Sequence, residues 1–246
     1  MKTIAIIGAL EKEVREVIAA VEGATAHEEA GLTVHAGTYR GARLVATTAG
    51  EGTVNAAAAT QHLISKYDTD AIIFSGIAGG LNPALHVSDI VIGERLRYLD
   101  TDTEIIAECA PGLEEFTSSP ALADIAESLL SSYGYTRATD ENADPDAPHY
   151  LRGTIATGDR FVTGADMRAA AIEATHADCV EMEGCAIAHV AAKNGIDCLV
   201  LRAISDNCDE TYDSFCSRQF DLEQYAARAS RLTLGIVERF IDQMGA

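Results

Sequence analysis

Short β-branched runs and longer stretches of helical period alternate along most of the chain. Residues 3–7 (TIAII) form a continuous apolar run, followed by a segment in which Leu10, Val14, Val17, Ile18 and Val21 share one helical face. Residues 32–37 and 43–48, separated by Tyr39-Arg40-Gly41, predict an antiparallel pair, and residues 54–67 a helix rich in small side chains. Further strands are predicted at 71–75, 87–92, 153–157 and 198–203. The strongest period runs through Leu222, Tyr225, Ala226, Ala229, Leu232, Thr233, Ile236, Val237, Phe240 and Met244, spaced by three and four. It predicts a last helix lying flat on a sheet.

This alternation predicts an α/β fold: a single three-layer domain over residues 1–246, with a mixed central sheet flanked by helices on both faces. Nothing marks an internal repeat or a boundary. Residues 140–148 carry four acids and two prolines without apolar period, which predicts a solvated surface loop.

Composition narrows the possible partners. Acids outnumber bases by 38 to 18, a formal charge of −20, and the bases are scattered, so nucleic acid is not an expected partner. No apolar run approaches the ~20 residues of a membrane span, and Glu11 and Glu13 fall where a signal peptide would be apolar. A cytoplasmic location and no membrane contact are expected. The six cysteines form no CxxC pair and several sit in apolar stretches, which suits buried free thiols.

The phosphate-loop pattern GxxxxGK(S/T), the GxSxG elbow and HExxH are absent, and the seven histidines lie far apart in sequence. No metal and no cofactor are expected. GEGTVN at residues 50–55 mimics a dinucleotide fingerprint, but Asn55 replaces its third glycine; it reads instead as a tight turn offering backbone N–H groups to a ligand. There remain three carboxylates just past predicted strand ends, where α/β proteins place their sites. Glu13 lies in the first turn of a helix, Glu183 opens an alanine-rich helix, and Asp206 follows the run LVLRAIS at 199–205. Singly, Glu13 and Glu183 are explained as well by a helix dipole, and Asp206 by an N-cap or a turn. Together they favour an active site.

Five stretches carry a resemblance: IIGALEKEV (6–14), SGIAGGL (75–81), TGDRFV (157–162), VEMEGCAIA (180–188) and RAISD (202–206). In this order and span they resemble the 5'-methylthioadenosine/S-adenosylhomocysteine nucleosidases of the wider nucleoside phosphorylase and nucleosidase superfamily. The resemblance implies hydrolysis of an adenosine N-glycosidic bond through an oxocarbenium-like transition state. It gives Asp206 the role of general acid toward N7 of adenine, oriented by Ser205, and Glu13 that of activating water alongside Arg202. Glu183 is implied to hold the ribose hydroxyls, Met182 to pack beneath the sugar, Phe161 to stack on adenine and the Val162 backbone to read its edge. Leu10, Ile77 and Ala78 complete the implied substrate-binding set.

Ile77 stands where a small polar residue is usual in the family. Residues 99–106 and 210–218 depart from the family pattern at the end that takes the 5'-substituent, where Ile106, Tyr212 and Phe215 are expected to form an apolar wall. A phosphorylase on this fold needs arginines where this chain has Glu13 and Ile77, so water is the expected nucleophile. Retention of all three acids argues against a non-catalytic nucleoside binder. The resemblance and the small-residue helix at 54–63 together imply a homodimer.

Overall fold

β1 (Thr3–Gly8) is buried along its whole length and lies between β4 (Ala42–Thr48) and β5 (Ala71–Gly80), parallel to both. Such strands, covered on both faces, read as unbroken apolar runs, which is why they are conspicuous in the sequence. The computed structural model describes residues 1–139, 147–209, 211–217 and 219–244; for Tyr212, residues 219–223 and Met244 it describes the backbone alone. Most of the acidic segment 140–148 therefore lies outside the described residues, as do the side chains of Leu222 and Met244.

The remaining elements are α1 (Glu11–Ala20), β2 (Glu22–Glu29), β3 (Leu32–Tyr39), α2 (Thr53–Tyr67), β6 (Ile90–Tyr98), α3 (Thr103–Ala107), α4 (Pro120–Ser132), β7 (Thr136–Arg137), β8 (His149–Thr157), α5 (Gly164–Thr175), β9 (Cys179–Glu181), α6 (Gly184–Asn194), β10 (Asp197–Asp206), α7 (Tyr212–Ser217) and α8 (Gln219–Met244). The ten strands form one mixed sheet. β5 is its hub, pairing with β1, along most of its length with β10, and through Gly79 and Gly80 with β9. β10 pairs antiparallel with β6, β6 parallel with β8, and β8 parallel with β9. Five strands thus close on themselves, while β1, β4, β3 and β2 extend from β5 as an open wing.

The expected pair at 32–37 and 43–48 is β3 and β4, antiparallel. On one face of the sheet, α2 and α6 bury Ala56, Leu63, Ile187 and Ala191. On the other, α1, α4 and α8 bury Val14, Val17, Ile125, Leu129, Leu232 and Ile236. The terminal period accordingly places α8 against sheet and helices, as its spacing implies.

Three features depart from the sequence-based expectation. β2 has the exposed sequence EGATAHEE, with no apolar alternation to reveal it, and pairs only with β3 at the sheet edge. β6 begins at Ile90 and not at 87, because Ser88 takes a positive φ of 83° and the Asp89 carboxylate closes the preceding turn on the His86 N–H. The ring closure depends on β9, three residues long, too short to announce itself by period.

Candidate active site

The carboxyl ends of β1, β5, β9 and β10 open onto one cavity of about 640 Å³, its mouth included. Ten of the eleven sequence-predicted positions line it: Glu13, Glu183, Asp206, Phe161, Val162, Met182, Ser205, Leu10, Ile77 and Ala78. Arg202 does not. It lies under the floor, 1% exposed, because the guanidinium is drawn into a cluster of buried carboxylates and stacks 4.0 Å from the centre of the Phe74 ring. Its placement as a substrate contact is thus corrected to that of a residue acting through its neighbours.

Glu13 stands at the third position of α1, where a glutamate reaches back to the unsatisfied N–H groups of a helix start. Its Oε2 accepts from Ala9 N at 2.7 Å and Leu10 N at 2.9 Å. Oε1 accepts from Ile77 N at 3.1 Å, joining the first helix to β5. The helix-start reading is therefore correct but incomplete, since the bond to Ile77 turns the carboxylate toward the cavity and leaves Oε1 acceptor capacity for a ligand. Burial pushes its pKa above the ordinary glutamate value, against Arg202 and the three backbone N–H groups. Behind it, Ser230 of α8 donates to the Glu13 carbonyl at 2.5 Å, tying the terminal helix to the site.

Arg202 Nη2 donates to Glu181 and, at 3.1 Å, to Glu183 Oε2. Glu181 is held from three further directions: Thr157 donates to its Oε1, while Glu183 N at 3.0 Å and Gly184 N at 2.7 Å donate to its Oε2 at the start of α6. Two buried carboxylates thus share one guanidinium, and Glu13 lies within reach of its charge. Burial and the Glu181 charge raise the Glu183 pKa to about 8, opposed by Arg202 and the Gly52 N–H. Gly76 makes this crowding possible, because a Cβ there would stand 2.1 Å from Arg202 Nη1 and 2.5 Å from Glu13 Oε1.

The turn at 50–55 has a different employment from the one its sequence suggests. Gly52 N donates to Glu183 Oε1 at 2.7 Å, and Thr53 N to Asp159 Oδ1 at 2.7 Å. These N–H groups orient carboxylates, which satisfies the start of α2 as a ligand anion would. Gly52 has φ 95°, a conformation that favours glycine.

Asp206 closes β10 at a bulge: Ile204 pairs with Ala78 and Asp206 with Gly79, leaving Ser205 between them. Bulges re-aim side chains beside active sites. Ser205 Oγ donates to Asp206 Oδ2 at 2.8 Å and Cys208 N to Oδ1 at 2.8 Å, so the carboxylate is fixed in orientation while facing the cavity. The N-cap reading does not hold, since the next helix, α7, begins only at Tyr212; the turn reading does, in the bond from Cys208 N two residues on.

Phe161 and Phe215 meet with ring centres 5.2 Å apart and line one apolar wall. Ile106 does not line this cavity; it sits on α3, a short helix without a buried residue, and the Tyr212 side chain lies outside the described residues. Of the expected 5'-wall, this chain by itself supplies Phe215. Glu181, Glu51, Arg160 and Cys208 also line the cavity and were not singled out from sequence. Glu181 had a signal: an acid two residues before Glu183 inside an otherwise apolar run.

Residues 3–242 match the model of the phosphorylase superfamily. A 5'-methylthioadenosine/S-adenosylhomocysteine nucleosidase of Shewanella sp. (strain MR-7) is 34% identical over 98% of this chain and 97% of its own length. The nucleosidase of Colwellia psychrerythraea 34H, solved in complex with adenine, is 30% identical with TM-score 0.83, covering 96% of this chain and 95% of that one. A futalosine hydrolase mutant of Helicobacter pylori, 23% identical with TM-score 0.84 over 97% of this chain and 100% of its own, shares the fold. With that match over nearly its whole length, the chain belongs to the phosphorylase superfamily and, within it, to the 5'-methylthioadenosine/S-adenosylhomocysteine nucleosidases.

Proposed function

We propose that the chain hydrolyses the N-glycosidic bond of 5'-substituted adenosines, methylthioadenosine and S-adenosylhomocysteine among them, and releases adenine. The observation that carries this reading is the placing of two differently held carboxylates, Asp206 on its bulge and Glu13 at a helix start, on one cavity with an aromatic wall. Asp206 delivers a proton to N7 as the C1'–N9 bond breaks and its electron pair passes to the purine. Water adds to C1' and gives its proton to Glu13, whose raised pKa makes it a stronger base than an exposed glutamate. Phe161 stacks on adenine, the Val162 backbone reads its edge, and Met182 packs under the ribose. Glu183 holds the sugar hydroxyls.

Electrostatics favour water over phosphate. Three acidic side chains, Glu13, Glu181 and Glu183, line the cavity above the single Arg202 guanidinium, an excess of acids that favours a developing oxocarbenium ion over an incoming anion. Arg202 is committed to carboxylates, and Ile77 offers the cavity an apolar side chain.

The shared fold of a futalosine hydrolase means that fold alone does not choose the 5'-group. Phe215 favours an apolar substituent, and a homodimer would bring further residues to that end. Exposed Val54 on α2 and Ile105 on α3 support such an interface. The four buried free thiols suit a reducing cytoplasm, and no described helix is long and apolar enough to cross a membrane. Burying a methylthio group against Phe215 contributes about 1–2 kcal/mol by area, so kcat/KM for methylthioadenosine should exceed that for adenosine by about tenfold. Equal values, or a preference for adenosine, would remove the apolar 5'-pocket from this reading.

A further inference from the structure

Away from the cavity, the fold brings together three side chains that have no part in the chemistry above. His86 lies in the turn before β6, Asp89 closes that turn, and His149 opens β8, sixty residues beyond Asp89. One ligand atom from each lies within 4.8 Å of the others. His86 Nδ1 stands 3.8 Å from Asp89 Oδ2 and His149 Nδ1 3.7 Å from Asp89 Oδ1. Both distances are too long for a hydrogen bond. Both nitrogens are buried without a hydrogen-bond partner, and the His149 and Asp89 side chains are each 3% exposed.

We propose that His86, Asp89 and His149 form a binding site for one divalent transition-metal ion of the zinc type. Two imidazoles and a carboxylate are a donor set for such ions, with solvent completing the coordination. Two ligands about 2.0–2.1 Å from a common tetrahedral ion stand about 3.3 Å apart, so the carboxylate pairs need to close by about half an ångström. The histidines need to close by no more than about 1.5 Å. His86, 30% exposed and unpaired at Nδ1, can supply that movement by rotating. Asp89 is already oriented as a ligand: Oδ2 accepts from His86 N at 2.8 Å and Oδ1 from His149 N at 2.9 Å, so the backbone fixes both oxygens toward the two rings.

An ion here would be structural. None of the three residues lines the cavity, yet the same turn is bonded to the strand that carries the general acid: Ser88 N donates to the Ile204 carbonyl at 2.8 Å and Ile204 N to the Asp89 carbonyl at 2.8 Å. The ion would staple the turn before β6 to the start of β8, beside the end of β10.

The test uses the full chain, stripped with chelator and titrated with Zn²⁺ by calorimetry in moderate salt, alongside His86→Gln and His149→Asn. One ion per chain should bind, with Mg²⁺ failing to compete. At Zn²⁺ a hundredfold above Kd, Tm should rise by about 5–10 °C. Co²⁺ should give visible absorption bands of four- or five-coordinate geometry. His86→Gln, on a partly exposed side chain, should fold normally and lose at least about tenfold in affinity. No stoichiometric binding to the wild type would overturn the proposal. So would equal affinity in both variants, which would assign the ion to the acidic surface.

Discussion

Gly76→Ala tests whether the buried charge cluster must hold its shape for turnover. The new Cβ would stand 2.1 Å from Arg202 Nη1, 2.5 Å from Glu13 Oε1 and 2.9 Å from Glu13 Cδ, where ordinary contact begins near 3.4 Å. Nη1 must therefore retreat by about 1.3 Å and Oε1 by about 0.9 Å. Neither has free room, since Arg202 is held by Glu181 and Glu183 and stacked on Phe74, and Oε1 is bonded to Ile77 N. Displacing a catalytic group by about 1 Å costs on the order of 10² in rate. Overpacking of this kind costs about 1–3 kcal/mol of stability, or roughly 3–10 °C in Tm at this size. The expected outcome is a folded enzyme by circular dichroism whose kcat/KM for methylthioadenosine falls about 10²-fold while adenine affinity, measured by calorimetry, stays within threefold. The proposed adenine contacts, Asp206 and Phe161, are not among the groups that the new methyl group would meet. Wild-type kcat/KM in a folded variant would show that the positions of Glu13 and Arg202 do not matter to the reaction. Parallel loss of adenine binding would show that the perturbation had spread through the cavity.

Asp206→Asn keeps the shape but cannot deliver a proton, so turnover should fall by about 10²-fold or more with Tm nearly unchanged; wild-type turnover would remove Asp206 from the acid role. Glu13→Gln should abolish hydrolysis while sparing nucleoside binding, because the amide cannot take the proton of water; activity that persists in the purified variant excludes the base role. Glu183 holds its proton up to about pH 8 in the folded protein, whereas an ordinary glutamate releases it near 4.5, so folding takes up a proton between those values and stability falls as pH rises through that window. Going from pH 5 to pH 9, the wild type should lose at least about 5 °C more in Tm than Glu183→Gln does; parallel curves would show that Glu183 is not the group retaining the proton.

The three acids were legible in the sequence because a strand end leaves a short, unmistakable mark: an apolar run that stops at a charge. Asp206 stands at such a stop, Glu13 and Glu183 lie two residues beyond one, and the fold turns all three onto one cavity. Buried parallel strands such as β1 and β5 were legible for the same reason. What escaped were features that reside in pairing. Glu181 stands out in the sequence only as an acid in an apolar run, and its role shows only in the approach of Arg202 from β10, whose guanidinium it helps to neutralise beneath the site. Edge strand β2 is exposed and without apolar alternation, and β9 is too short for period, so neither the sheet's edge nor its closing had a signature. His86 and His149, far apart in the chain, meet only because β6 and β8 run parallel with Ile90 opposite Tyr150.

The identity of the nucleophile is tested most directly by following adenine release from methylthioadenosine in phosphate-free buffer and in buffer with saturating phosphate, with the sugar product identified by mass spectrometry. Release at equal rates in both, with free 5-methylthioribose as the only sugar, is the expected result. A rate that requires phosphate and yields a sugar 1-phosphate would contradict it, and would mean that an anion reaches C1' past the carboxylates of Glu13, Glu181 and Glu183.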